Sequence, residues 1–133
     1  MHRRQADVAI SGDPVADVVA LAQAYRATAV ENRHMYFLMF DSVGEFRPTP
    51  DDREFARRTL RQVRDAVRAA AAGGRLPDEA RAITLQIWAL VHGLASLELQ
   101  GILGDAETAA RYWTDAVAAF MRGHAQAASV ANA

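Results

Sequence analysis

A chain of 133 residues, half of them apolar, is large enough for one buried core and too small for two, so one globular domain is expected. Its 15 basic and 16 acidic residues leave a formal charge of -1, which removes any bulk electrostatic case for nucleic acid or an anionic membrane. Cysteine is absent, and with it disulfides, thiolate metal sites and cysteine nucleophiles.

Residues 1–12 have weak periodicity and end in Ser11-Gly12, as a tail or the end of a connecting helix does. Asp13-Pro14 is a helix-start signal, and Val15, Val18, Ala22, Tyr25 and Ala29 recur at helical spacing, predicting a helix over 14–32 with Asp17, Gln23 and Arg26 outward. His34 to Phe40 is short and intensely apolar, predicting a small buried helix; Gly44, Pro48 and Pro50 make 41–50 a loop. A second long helix follows from Asp51 to about Ala72, with Ala56, Leu60, Val63, Val67 and Ala70 inward and Gly73-Gly74 as its stop. Pro77-Asp78-Glu79 opens the next helix, acids in its first turn, and Gly104-Asp105 breaks the chain after it. In the last helix Ala109, Trp113, Ala116, Val117 and Phe120 form the apolar stripe; it is expected to end near Gly123, leaving 124–133 as a disordered or frayed tail. No strand-like alternation is sustained, so the expected fold class is all-α with about five helices.

The run Ile83 to Leu103 is apolar on nearly all sides, and such a helix must be covered all round. His92, Glu98 and Gln100 interrupt it, so no apolar run of membrane-spanning length is expected and the chain reads as cytoplasmic. Self-association is the simplest cover: the last two helices of two copies would form a four-helix bundle, with Ile87, Leu94, Trp113, Val117 and Phe120 at the dimer interface. Ala89, Gly93 and Gln86 lie on a narrower side that permits close approach. The alternative is a purely intramolecular core.

Trp88 and His92 are four apart and share a helical face with Leu85, Ser96 and Leu99, an aromatic wall with a polar handle that reads as a packing and hydrogen-bonding unit fixing adjacent helices or as the lining of a small-molecule pocket. His34, Tyr36, Met39 and Phe40 offer a lipophilic surface with two polar tips, for ligand or for core. Glu98, alone among apolar neighbours, reads as a partly buried carboxylate that needs a partner: an arginine across the dimer, or a cationic small molecule. Arg57, Arg61, Arg64 and Arg68 fall within a stripe of about 60° on one helix; Arg58, Glu54 and Asp65 lie alongside, and a solvated face is the default. His2, His34, His92 and His124 are scattered, so neither a metal site nor a cofactor is expected, and no nucleophile–base pair or phosphate loop suggests an enzyme.

The string from Ile87 to Leu99, with its core Trp88-Ala89-Leu90-Val91-His92-Gly93, resembles the Trp-His-Gly signature of the C-terminal domain in one large subgroup of TetR-like regulators. Leu21 to Arg26 and His34 to Phe40 are similar to that family's first C-terminal helix and the short element after it, so the likeness covers residues 13–123. The resemblance implies an effector-binding and dimerisation domain of a bacterial transcription repressor. Its expected partners are a second copy and a small, lipophilic effector, with Tyr36, Met39, Phe40, Trp88, His92 and Ser96 as ligand-binding candidates. The helix-turn-helix head of such regulators has no counterpart in this sequence, so no nucleic acid contact is expected from this chain alone, and no membrane contact. A helical module that lacks a sensing pocket and pairs with a full-length regulator is the competing expectation.

Overall fold

The first helix, α1 (Pro14–Glu31), is set by Asp13, whose carboxylate accepts from the backbone N–H groups of Val15 and Ala16 at 3.0 and 3.4 Å while Pro14 occupies the first helical position. It is followed by α2 (Pro50–Ala72), α3 (Ala80–Leu99) and α4 (Ala106–Ala131), in a computed structural model that describes residues 11–33, 50–74 and 79–131. Among the described residues there is no strand, and the all-α expectation holds with four helices. The small helix expected over His34 to Phe40 and the loop after it lie outside the described residues.

The core is made by one stripe from each helix: Val18, Leu21, Tyr25 and Ala29 from α1; Val63, Val67 and Ala70 from α2; Ile83, Ile87, Val91 and Leu94 from α3; Trp113, Val117 and Met121 from α4. Each large apolar side chain in such a core stabilises the fold by about 1.5–3 kcal/mol relative to exposure. α3 packs on α1, α2 and α4, and α1 packs most extensively on α4. The helix that on sequence grounds demands a second chain is therefore covered on much of its circumference by its own chain. By length and composition α3 would pass for a membrane span, contrary to the sequence expectation, but here it runs among three helices of the same bundle.

Three side chains of α1 expected to face outward are structural ties instead. Asp17 is buried and accepts from the Ser11 backbone N–H and hydroxyl at 2.8 and 2.7 Å and from the Gly12 N–H at 3.2 Å, fastening the segment that enters the helix. Gln23 donates to the Thr114 hydroxyl at 2.8 Å and the Ala110 carbonyl at 3.3 Å. Arg26 reaches Glu98 of α3. Placing polar residues outward fails here because α1 has neighbours on both sides.

α3 begins at Ala80, without acids in its first turn, and ends at Leu99 rather than running on to Leu103. Its stop is Gly101, at φ +77°: the Gly101 N–H donates to the Glu98 carbonyl at 2.9 Å and the Ile102 N–H to the Leu97 carbonyl at 3.0 Å. That pair of bonds is a Schellman motif, which a residue in the left-handed region makes accessible. The Arg33 guanidinium also donates to the Leu99 carbonyl, satisfying another orphan acceptor at this end. α4 opens at Asp105, which accepts from the Thr108 N–H at 2.8 Å. That hydrogen bond to the ionised form holds the Asp105 carboxyl below the ordinary aspartate value. The expected end of the last helix near Gly123 is corrected: α4 continues to Ala131. Alanine is the strongest helix former, Gly123 costs only about 1 kcal/mol within a helix, and Ala128 is buried.

Candidate functional site

Where α1, α2 and α3 converge, Val18, Leu21, Ala22 and Tyr25 of α1 recur at i, i+3, i+4 and i+7, which puts all four on one face. They meet Val63 of α2 and Ile87, Trp88 and Val91 of α3 around an apolar crevice. Its walls are almost purely hydrocarbon and aromatic, and its free volume is ≈ 10 Å³. The Tyr25 ring meets Trp88 edge-on, with centroids 6.2 Å apart and planes at 62°, and lies 6.3 Å from Trp113 on the other side. Offset and edge-to-face arrangements of this kind are favourable for aromatic quadrupoles. Trp88, half-buried, is thus the ligand-binding candidate that the fold places at a crevice.

His92 and Ser96 follow one and two turns later on α3, both half-buried, and neither lines that crevice. Ser96 accepts from the Gln100 side chain at 3.0 Å. Tyr36, Met39 and Phe40 lie outside the described residues.

Below the aromatic layer sits a polar network. The Arg26 Nε donates to both Glu98 carboxylate oxygens at 3.1 and 3.0 Å, a terminal nitrogen reaches one of them at 2.6 Å, and the same nitrogen donates to the Ala106 carbonyl at 3.1 Å. The Trp113 indole N–H donates to Glu98 at 2.8 Å. Side-chain exposure is 17% for Arg26 and 11% for Glu98, so the pair is largely shielded from solvent and Trp113 entirely so. One carboxylate thereby joins α1, α3 and α4. The expectation that the partner of Glu98 is an arginine across a dimer is corrected, since Arg26 belongs to the same chain.

The sequence-assigned dimer interface needs a larger correction. Relative exposure within the single chain is 1% for Ile87, 9% for Leu94, and 0% for Trp113 and Val117, so these side chains are consumed by the chain's own core. Phe120 is half-buried and packs on His124, ring centroids 4.6 Å apart. The surface left for a partner carries other residues. Of the six large apolar side chains exposed among the described residues, Leu85, Leu97, Tyr112 and Val130 lie on α3 and α4, and Ile102 lies in the turn between them. Taking about 100° per residue, Ala82, Gln86, Ala89, Gly93 and Leu97 fall within about 80° on α3, and Tyr112, Ala119, Gly123, Gln126 and Val130 within about 60° on α4. Every member of both stripes is exposed except Gly93, which is half-buried.

The crevice residues Tyr25 and Val63 were core positions by periodicity, and nothing in the sequence separates wall from core. Arg26 was read as an outward residue of the first helix, and nothing local in the sequence marks it as the partner of Glu98.

Among known families, one described as "Tetracyclin repressor-like, C-terminal domain" is similar to this chain over residues 18–120. No curated protein and no solved structure matches it.

Proposed function

The chain belongs to the tetracyclin repressor-like C-terminal domain family, whose match spans most of its length, and from that premise we propose that it serves a TetR-like transcription regulator as its homodimerising, effector-sensing part. The observation that carries the dimer is the concentration of exposed apolar side chains on α3, α4 and their connecting turn. In this proposal the α3 stripe containing Ala82, Ala89 and Gly93 and the α4 stripe containing Tyr112, Ala119 and Val130 pair across a two-fold axis as a four-helix bundle, small residues permitting close approach. Tyr112→Glu, which sets a charge on that contact, is expected to convert the dimer to monomer without unfolding α4. Repression is the regulatory sense that the family suggests.

Sensing is proposed at the aromatic crevice. A small, lipophilic effector would bind between Tyr25 and Trp88; Tyr36, Met39 and Phe40, and His92 and Ser96 one and two turns along α3 from Trp88, are the further ligand-binding candidates. The free volume there, ≈ 10 Å³, falls far below the roughly 300–1,000 Å³ of ordinary ligand sites, so binding requires the Tyr25–Trp88 contact to open. The same observation favours a second reading, a helical interaction module that senses nothing and pairs with a full-length regulator. A thermal-shift screen with lipophilic, aromatic and cationic compounds separates them. Sensing predicts saturable stabilisation by at least one lipophilic class, abolished by Trp88→Ala; the interaction module predicts none.

A further inference from the structure

The stripe of arginines on α2 does not simply face solvent. Arg57, Arg61, Arg64 and Arg68 stand opposite Arg81 of α3 across a groove of ≈ 350 Å³. Thr84 and Leu85, one turn further along α3, close its side and give it an apolar flank. Like charges at i, i+3 and i, i+4 repel, and here a fifth is brought to them by a second helix. The local balance of charge is lopsided. Glu54 engages Arg57 at 3.4 Å and Arg58 at 3.0 Å, and Asp65 touches Arg64 at 3.5 Å. Arg61, Arg68 and Arg81 have no anionic partner among the described residues, and the Nε of Arg64 is shielded from solvent without an acceptor. A chain of net charge -1 has thus collected a third of its 15 basic residues around one concavity.

We infer that this groove is a binding site for a small, multiply charged oxyanion, an organic phosphate or a polycarboxylate. Guanidinium groups present paired N–H donors that match the oxygens of both. Only a ligand with two or more negative charges answers several converging arginines, and the volume falls in the range of small-molecule sites, about 300–1,000 Å³. Leu85, exposed at the rim, contacts the carbon part of such a ligand. The site is separate from the aromatic crevice and does not depend on it: it lies on the α2–α3 surface, and the two share no lining residue.

The test is calorimetric titration of the whole chain, at about 0.15 M salt to screen diffuse attraction, with sodium tripolyphosphate in one arm and citrate in the other. One site per chain is expected for at least one of them; tighter tripolyphosphate assigns the organic-phosphate source and tighter citrate the polycarboxylate source. The double substitution Arg61→Gln/Arg81→Gln is expected to weaken binding by at least about tenfold, whereas Arg111→Gln/Arg122→Gln on α4, equal in charge removed, leaves it within about twofold. Circular dichroism confirms that both variants keep their helices, and Arg68→Gln alone, a milder change, is expected to weaken binding in the same direction. Absence of saturable binding in both arms, equal weakening by the two doubles, or binding of duplex DNA with neither small anion bound would each overturn the assignment.

Discussion

Glu98→Ala probes the polar network at the centre of the bundle. It removes the one acceptor shared by the Arg26 guanidinium and the Trp113 indole N–H, leaving both donors in a region that is at most 17% exposed. Deleting one member of a buried pair costs about 3–5 kcal/mol, and an orphaned buried N–H about 1–3 kcal/mol. The residual exposure of Arg26, and its remaining bond to the Ala106 carbonyl, lower the first figure. We therefore expect a loss of roughly 2–4 kcal/mol, on the order of 10 °C in Tm for a domain this size. Urea unfolding followed by circular dichroism at fixed protein concentration measures it. Arg26→Met with Glu98→Met should cost less than the two single changes added together, because each single change strands a charge that the double does not. A loss below about 0.5 kcal/mol for Glu98→Ala, or additivity within about 0.5 kcal/mol, would refute the argument, for either shows an ordinary solvated pair.

Gly101→Ala forces a side chain into backbone at φ +77°, and a loss of about 1–2 kcal/mol is expected by the same unfolding assay. Asp105 gives a pH signature. Its folded pKa lies below the unfolded value, so its contribution is present above the ordinary aspartate range and is lost as pH falls through the lower folded value. Carboxyl titration by NMR should place Asp105 below the exposed aspartates, and Thr108→Pro, which deletes the donor, should move it back up.

Helix existence was legible in the sequence because it rests on local signals: the Asp13-Pro14 start, the Gly73-Gly74 stop and the 3.6-residue recurrence of Val18, Tyr25, Val63, Val67, Trp113 and Val117. What stayed hidden was decided by tertiary packing. Helical projection shows which side of α3 is apolar, but not that α1, α2 and α4 occupy so much of its circumference, and hence it handed Ile87, Leu94, Trp113 and Val117 to a partner chain. Glu98 announced the need for a counter-charge, yet with 15 arginines in the chain nothing local singled out Arg26. Gly101 and Gly104 both have positive φ, and only the hydrogen bonds to the Glu98 and Leu97 carbonyls show which of them ends α3. The Trp88–Tyr25 contact was out of reach for the same reason: spacing along one helix says nothing about which ring of another helix it meets.

Dimerisation through the exposed stripes of α3 and α4 is the claim on which the proposed role rests, and the mass of the particle in solution tests it most directly. Sedimentation equilibrium across the micromolar range should give about twice the chain mass of 14.5 kDa, falling to the single-chain value in Tyr112→Glu. A wild-type particle of 14.5 kDa throughout that range would contradict the account.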